Sequence, residues 1–505
     1  MQGRPGSLRM PPVLWALLCV AWLPSCSGGS NGGNSSGTGG QSAQGGRAAS
    51  SGGSTSGGAN GVSSGGAAQG DQTGSGGTSA ASAGGIPSAG SAAITGGAPN
   101  GGATLGAGRG GSGDSGAAAG GRANTGGQGG ASHSDAFPTF TKHTIASFSS
   151  GYATVAVDVD HDGLLDVVAL SSGSAGLVWF KNPSWKKYTI TTKAKQLIYS
   201  APHDIDGDGH VDLAFISDFD MNNSKSGGTI SWAEAPDDPT QSQDWALHPI
   251  DAVPTSHRLR WADIDGDGKK ELIVLPIFGI GSTQPTRAGA VQLKAYAVPQ
   301  DPKGAWTGKV LDDTHLEVAH GIEIVDWDGD KAEDILTAAN DGIDLFRPSL
   351  GSAPQHIGAG KEGQPPDRGS SEVGLGTLGG MRFIASIEFW HGTDAVVYTP
   401  GASATELWTR QVLGTDFEHG HGLMVADFDG DGYDEIVAGG GQGDMAEIIY
   451  RYAPSTKTWQ KIPLDTGSVA VSEIDVKDID GDGALDIVAI GGSPTNNVVW
   501  YENSR

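Results

Sequence analysis

The chain has 505 residues, 84 of them glycine, and 57 acidic residues against 31 lysines and arginines leave a formal net charge of −26. Glycine so unevenly spread makes length a poor guide to domain number, and one large folded region fits better than several average ones. An acidic chain without a Lys/Arg cluster offers no electrostatic footprint to a phosphate backbone, so nucleic acid is not an expected partner.

From the N-terminus, Arg4 and Arg9 precede an apolar run over 13–23, too short to span a bilayer comfortably but of the length of a signal-peptide core. Leu23-Pro24-Ser25-Cys26 follows and resembles a bacterial lipobox, whose cysteine becomes the lipidated first residue of the mature chain. Pro24 departs from that pattern, and plain cleavage with release is the alternative. Residues 1–26 are thus expected to be a signal peptide with Cys26 as lipidation site. The expected location is a bacterial cell surface, as an outer-membrane lipoprotein, or the exterior, with membrane contact through the lipid alone. Residues 27–136 are Gly, Ser, Ala, Thr, Asn and Gln with almost no large apolar side chain, so nothing is buried to offset backbone entropy and a disordered linker is expected. About 110 such residues have a root-mean-square reach of roughly 60 Å, enough to lift a domain clear of a membrane. Both cysteines, Cys19 and Cys26, lie in the N-terminal segment, so the folded region is expected to lack disulfides.

From residue 137 onward, short alternating apolar runs take over. Six acidic loops recur there: DVDHDGLLD from Asp158, DIDGDGHVD from Asp204, DIDGDGKKE from Asp263, DWDGDKAED from Asp326, DFDGDGYDE from Asp427 and DIDGDGALD from Asp478. Their starts are 46, 59, 63, 101 and 51 residues apart, so the long gap should hold a seventh, degenerate unit, visible at 373–400 with its flanking apolar runs but without the acids. Each loop sits between two strand-like runs, a third strand follows (LVWF, TISW, VQLKAY, IDLF, AVVY, IIYRY, VVWY), and a fourth carries Trp and a basic residue (WKKYTI, WALHPI, WTGKVL, WTRQVL, WQKIPL). Four antiparallel strands in each of seven units predict an all-β, seven-bladed propeller over 137–505, expected to be monomeric. The last unit lacks a fourth strand, whereas FTKHTI at 140–145 looks like an orphan one, so the N-terminal strand should complete the last blade and close the ring.

The loop acids present several hard oxygens to one point, and six to eight oxygens at flexible distances suit Ca2+ better than Mg2+. The expected ligands are Asp158, Asp160, Asp162 and Asp166; Asp204, Asp206, Asp208 and Asp212; Asp263, Asp265, Asp267 and Glu271; Asp326, Asp328, Asp330 and Asp334; Asp427, Asp429, Asp431 and Glu435; and Asp478, Asp480, Asp482 and Asp486. A lone Asp-Gly turn needs no metal, but repetition with a fourth acid at one offset argues for one, because unneutralised carboxylates so close would repel. The fourth copy has Lys331 where the others carry glycine, so it is expected to bind weakly or not at all. These loops resemble the FG-GAP and VCBS repeats, including the calcium-bearing blades of integrin α-chain propellers. That resemblance implies architecture and structural calcium, and it is nearly silent on function.

Aligning the repeats on the first loop aspartate shows a second regularity. His257, His320 and His421 each stand six residues before it, with Tyr152 at that offset in the first blade and Ser472 in the last. The offset marks the entry of the innermost strand, on the face opposite the acidic loops. His391, just after a second strand, should emerge on that same face, with His419 nearby. Converging imidazoles can hold a transition metal such as Zn2+ or act as acid and base near neutral pH; a single such histidine would more often only pack at a strand start. PTSHRLRWADIDGDG, HLEVAHGIEIVDWDGD, SSEVGLGTLGG and IEFWHGTDAVVY resemble stretches of the propeller domain of the aldos-2-ulose dehydratase family. The resemblance implies sugar dehydration or β-elimination in which His257, His320, His391 and His421 hold metal or move protons, with His203 and Arg258 as weaker additions. Such enzymes continue into cupin-like domains, which this sequence does not show.

Two functional expectations follow. One is a surface-tethered, calcium-binding propeller with a His-lined axial pocket that binds sugar and acts as a metal-assisted dehydratase or lyase. The alternative is a non-catalytic adhesion or carbohydrate- or protein-binding module whose partner is a carbohydrate or cell-surface ligand.

Overall fold

The computed structural model describes residues 137–505 except 242, 243 and 366. The expected signal peptide, Cys26 and the expected 27–136 linker lie outside the described residues. Among the described residues, seven four-stranded antiparallel sheets carry nearly all regular structure, and the helical content is one 3-10 turn, Pro348–Leu350. No helix there is long and apolar enough to cross a membrane.

Blade one runs Gly151–Val157, Asp166–Ser171, Leu177–Lys181 and Lys186–Thr191 from inside to outside. Blades two to six repeat this order over 199–252, 256–312, 321–358, 372–414 and 418–466. Blade seven has Val471–Lys477, Asp486–Gly491 and Asn497–Asn503, and its outer strand is Phe140–Ser147, registered from Phe140 opposite Asn503 to Ser147 opposite Asn497. The expected closure is therefore present, and a backbone bond from Ser504 N–H to the Thr139 carbonyl extends it.

Position in the blade explains each strand's composition. Second strands such as Asp166–Ser171 and Asp486–Gly491 are buried along their whole length, because neighbouring blades cover both faces. Outer strands such as Thr458–Thr466 keep exposed polar residues on one face. Third strands each place an aromatic between blades, and Trp179, Trp232, Tyr296, Tyr398, Tyr450 and Tyr501 are fully buried. Removing one such ring would cost about 3–5 kcal/mol. The innermost strands touch in a closed circle, so residues at their entries meet around one axis.

Blade five replaces the acidic loop with a two-residue turn between Glu372–Leu378 and Met381–Glu388. Gly379 and Gly380 have φ of 59° and 93°, the left-handed pair that a tight hairpin of this hand needs. The blade-six loop covers this bare corner: Gly379 N–H donates to the Gly432 carbonyl, and Thr377 N–H donates to Asp434 Oδ2 at 2.6 Å. Glu333 makes the equivalent link from blade four back to blade three, accepting Asp263 N–H at 2.7 Å. The eighth loop residue thus ties a blade to the one before it in both places.

Candidate functional site

The acidic loops join first to second strands, as expected. In all six, the ninth residue (Asp166, Asp212, Glu271, Asp334, Glu435 or Asp486) accepts the N–H of the second. In five, the first aspartate also accepts the N–H of the sixth residue, which is glycine. In the fourth, Lys331 takes that place with φ +81°, and Asp326 accepts from Gly329 instead. Carboxylate oxygens of Asp158, Asp160 and Asp166, of Asp204, Asp206 and Asp212, and of Asp263, Asp265 and Glu271 lie within 4.8 Å of one another; in the fourth loop the converging trio is Asp326, Asp328 and Asp330, all exposed.

Burial, reinforced by neighbouring carboxylates, pushes Asp166, Asp212 and Glu271 up to about 7 and Glu435 to about 9. Such groups call for a counter-cation. Two loops hydrogen-bond one from the protein itself, which the repeat pattern did not reveal, and Lys303 Nζ lies 4.0 Å from Asp206 of a third. Lys181 Nζ donates to Asp160 and, at 2.6 Å, to Asp162, while Arg451 Nη2 donates to Asp429 at 2.6 Å. Both cations leave the end of a third strand. Lys331 is exposed and makes no ion pair among the described residues.

At the opposite ends of the inner strands, the histidines converge. His257 enters Ser256–Ala262, His320 precedes Gly321–Val325, His421 lies in Glu418–Ala426, and His391 follows Met381–Glu388. His320 Nε2 and His391 Nε2 are 3.1 Å apart, and ring nitrogens of His320, His391 and His421 all fall within 4.8 Å. Tyr152 Oη bridges His257 Nε2 at 2.9 Å and His421 Nε2 at 3.1 Å. His419 packs on His391 with ring centres 4.2 Å apart. Phe219 covers His257, and Trp390 covers His391.

The site is dry. His257, His320 and His421 are 1%, 0% and 3% exposed. Burial holds all four imidazoles well below the usual histidine range, with Arg258 adding to the effect on His257 and His320. They are therefore neutral, each with a lone pair available. Burial also raises the Tyr152 hydroxyl, which stays a proton donor.

Beneath the histidines lies a layer of buried charge. Glu372 Oε1 is 2.7 Å from His320 Nδ1 and accepts from Arg258 at 3.0 Å, and Glu473 stands 3.9 Å from the same guanidinium. Burial pushes Glu372 and Glu473 up to about 7 against the pull of Arg258. The weaker expectation for Arg258 thus gains a position. His203 does not: it ends its strand at the acidic-loop side, tilted against Trp261 with ring centres 4.5 Å apart. Position just before Asp204 puts it at the wrong end of the channel.

Tyr152 shared the histidine offset and so was legible. Ser371 and Glu372 were not, because blade five has no loop aspartate from which to count. Ser371 Oγ lies 3.4 Å from His320 Nδ1 and accepts the His391 N–H at 3.3 Å.

The residues fit a transition metal. Zinc–nitrogen bonds of about 2.0–2.1 Å at tetrahedral angles set ligand nitrogens roughly 3.4 Å apart, close to the 3.1 Å between His320 and His391. Glu372 on His320 Nδ1 is the outer carboxylate that fixes a ligating tautomer.

Comparison with known proteins gives the geometry a context. Residues 227–401 match the family model "Aldos-2-ulose dehydratase, beta-propeller domain", and 158–215 and 427–489 match the FG-GAP-like repeat. Aldos-2-ulose dehydratase of Phanerodontia chrysosporium is 29% identical over 234 residues, which cover 42% of this chain and 25% of that protein. Among solved structures, BBS1N in complex with ARL6DN is 12% identical with a TM-score of 0.47, covering 72% of this chain and 96% of that one. The RRP9 WD40 repeats are also 12% identical, with a TM-score of 0.43 and coverage of 72% and 97%. The segment matching the dehydratase domain contains His257, Arg258, His320, Glu372 and His391, while Tyr152 and His421 lie outside it. The chain is a seven-bladed β-propeller with FG-GAP-like repeats, related over its central blades to the propeller domain of aldos-2-ulose dehydratase.

Proposed function

We propose that the axial pocket carries out metal-assisted elimination of water from a sugar with a carbonyl at C2. The observation that supports this best is the convergence of neutral His320, His391 and His421 nitrogens beside a protonated Tyr152 hydroxyl. His320, His391 and His421 would hold the ion, with Zn2+ the best match to the donor set. When bound, a divalent ion polarises the sugar carbonyl and makes the neighbouring C–H acidic.

The remaining work falls to the protein. Neutral His257 takes the C3 proton, and the electron pair forms the C3–C4 double bond as the C4 hydroxyl leaves. Tyr152 gives its proton to that hydroxyl, so water departs. The 2.9 Å bond between Tyr152 Oη and His257 Nε2 then returns the proton to the phenolate, restoring both groups. Phe219 and Trp390 keep bulk water from the pocket.

The acidic loops serve this reading as structural Ca2+ sites that stiffen the corners of the blades. The substrate is a carbohydrate at a cell surface, reached on the lipid-anchored tether that the N-terminal sequence suggests. The test is incubation of metal-analysed protein with an aldos-2-ulose while enone absorbance is followed. Loss of the signal in the His257→Ala, His421→Ala double variant is expected. An unchanged rate in that variant would overturn the mechanism, and sugar binding without turnover would leave the non-catalytic module.

A further inference from the structure

A polar cavity of about 260 Å³ opens beside blade four, lined by Asn340, Asp341, Lys361, Glu362 and Arg368 among others. Asn340 directly follows the second strand Asp334–Ala339, which puts it on the histidine face, as His391 is put there one blade later. Backbone bonds from Ser370 N–H to the Ala339 carbonyl and from Asn340 N–H to the Glu317 carbonyl fix the wall. Arg368 stands three positions before Ser371, which touches His320, so the two sites are within about 10 Å of chain.

The Asn340 side chain is the anomaly. It is 3% exposed, yet neither its Oδ1 nor its Nδ2 has a hydrogen-bond partner. Leaving a buried amide unpaired costs roughly 1–3 kcal/mol, so such a group marks a place completed by something else. A carboxamide offers one acceptor and two donors, which is the complement of a hydroxyl pair.

The charges around it cancel. Arg368 bonds Asp341 through Nη2 while its buried Nε has no partner, and Lys361 Nζ is 3.0 Å from Asp394. With both cations already paired and Glu362 exposed, an anion finds no spare positive charge, whereas neutral hydroxyls find both donors and acceptors in the lining. The volume lies just under the usual range for small-molecule pockets, about 300–1,000 Å³, and admits one ring rather than a chain.

We infer that this cavity is a binding subsite for a neutral pyranose, held by Asn340, Asp341 and Arg368 next to the histidine centre. The inference stands on the cavity and its unpaired groups; only the suggestion that its ligand is a neighbouring ring of the same substrate rests on the proposed function. Glucose, maltose and glucuronate are the probes, titrated by ligand-observed NMR and calorimetry into the full chain.

Glucose and maltose should bind in the millimolar range, and Asn340→Ala and the more exposed Arg368→Ala should each weaken binding at least tenfold. His320→Ala should leave glucose binding intact, so loss of elimination activity there and loss of sugar binding at Asn340 are separate results. Unaltered thermal unfolding of Arg368→Ala guards against a folding artefact. Absence of glucose and maltose binding, preference for glucuronate, or binding indifferent to both variants would each overturn the subsite.

Discussion

His320 meets His391 nitrogen to nitrogen at 3.1 Å, while its other ring nitrogen rests 2.7 Å from Glu372. Three blade elements thereby converge on one imidazole. With a divalent ion supplied, His391→Ala is expected to abolish stoichiometric transition-metal binding, and Glu372→Gln to weaken it 10- to 100-fold by loosening the tautomer. Metal retention by both variants in elemental analysis would contradict the ligand set.

Tyr152→Phe removes one hydroxyl and no packing volume. Turnover should fall about 10²- to 10⁴-fold, the usual contribution of a positioned proton donor, with KM changed little. Wild-type unfolding behaviour with depressed kcat would separate this from damage to the ring. Equal turnover would dismiss Tyr152 as the acid.

The loops should respond unequally to calcium. Binding at 100-fold over Kd adds about 2.7 kcal/mol per occupied site, so excess chelator should lower Tm clearly. Asp204→Asn should remove a share of that calcium response, whereas Asp326→Asn in the exposed fourth loop should change it little. Lys331→Gly should raise Tm, because a left-handed residue with a side chain carries about 1–2 kcal/mol of strain. Identical calcium titrations of the two aspartate variants would refute the ranking.

A pH effect is expected outside both metal regions. Glu447 is fully buried, accepts from Tyr501 at 2.7 Å, and is pushed by burial from 4.5 up to about 7. Well below 4.5 both folded and unfolded chains carry this proton, and burial exacts nothing. Between 4.5 and about 7 the unfolded chain releases it first, so stability falls across that window and is lowest above it. Glu447→Gln should remove this decline, worth up to roughly 3 kcal/mol at pH 8. Denaturant unfolding at pH 4.5 and pH 8 measures it, and a wild-type-to-variant difference independent of pH would count against it.

How far the sequence carried depended on whether a repeat supplied an origin for counting. Six loop aspartates fixed blade number, strand order and the His257, His320 and His421 offset, because each unit repeats one hydrogen-bonded corner. Glu372 escaped notice since its blade turns on Gly379 and Gly380 alone. His203 misled through proximity to a motif, as a strand of five residues carries its two ends to opposite faces. Lys181 and Arg451 reach their loops from a third strand, a contact that exists only after the sheet has formed. Asn340 is ordinary in sequence; only its burial without partners sets it apart.

The pairing of Phe140–Ser147 with Asn497–Asn503 also bears on how the molecule is made. Thr139 and Ser504 are bonded across a separation of 365 residues, so the last sheet cannot assemble until all the polypeptide between them has been made. Earlier blades can form in order from neighbours already synthesised, but the final seam waits for both of its strands. Because closure entropy grows only with the logarithm of loop length, that wait is modest in free energy and long in time. During it, the newborn protein presents the unpaired edge of Asn497–Asn503, and a chaperone that shields this strand would raise the yield of closed rings.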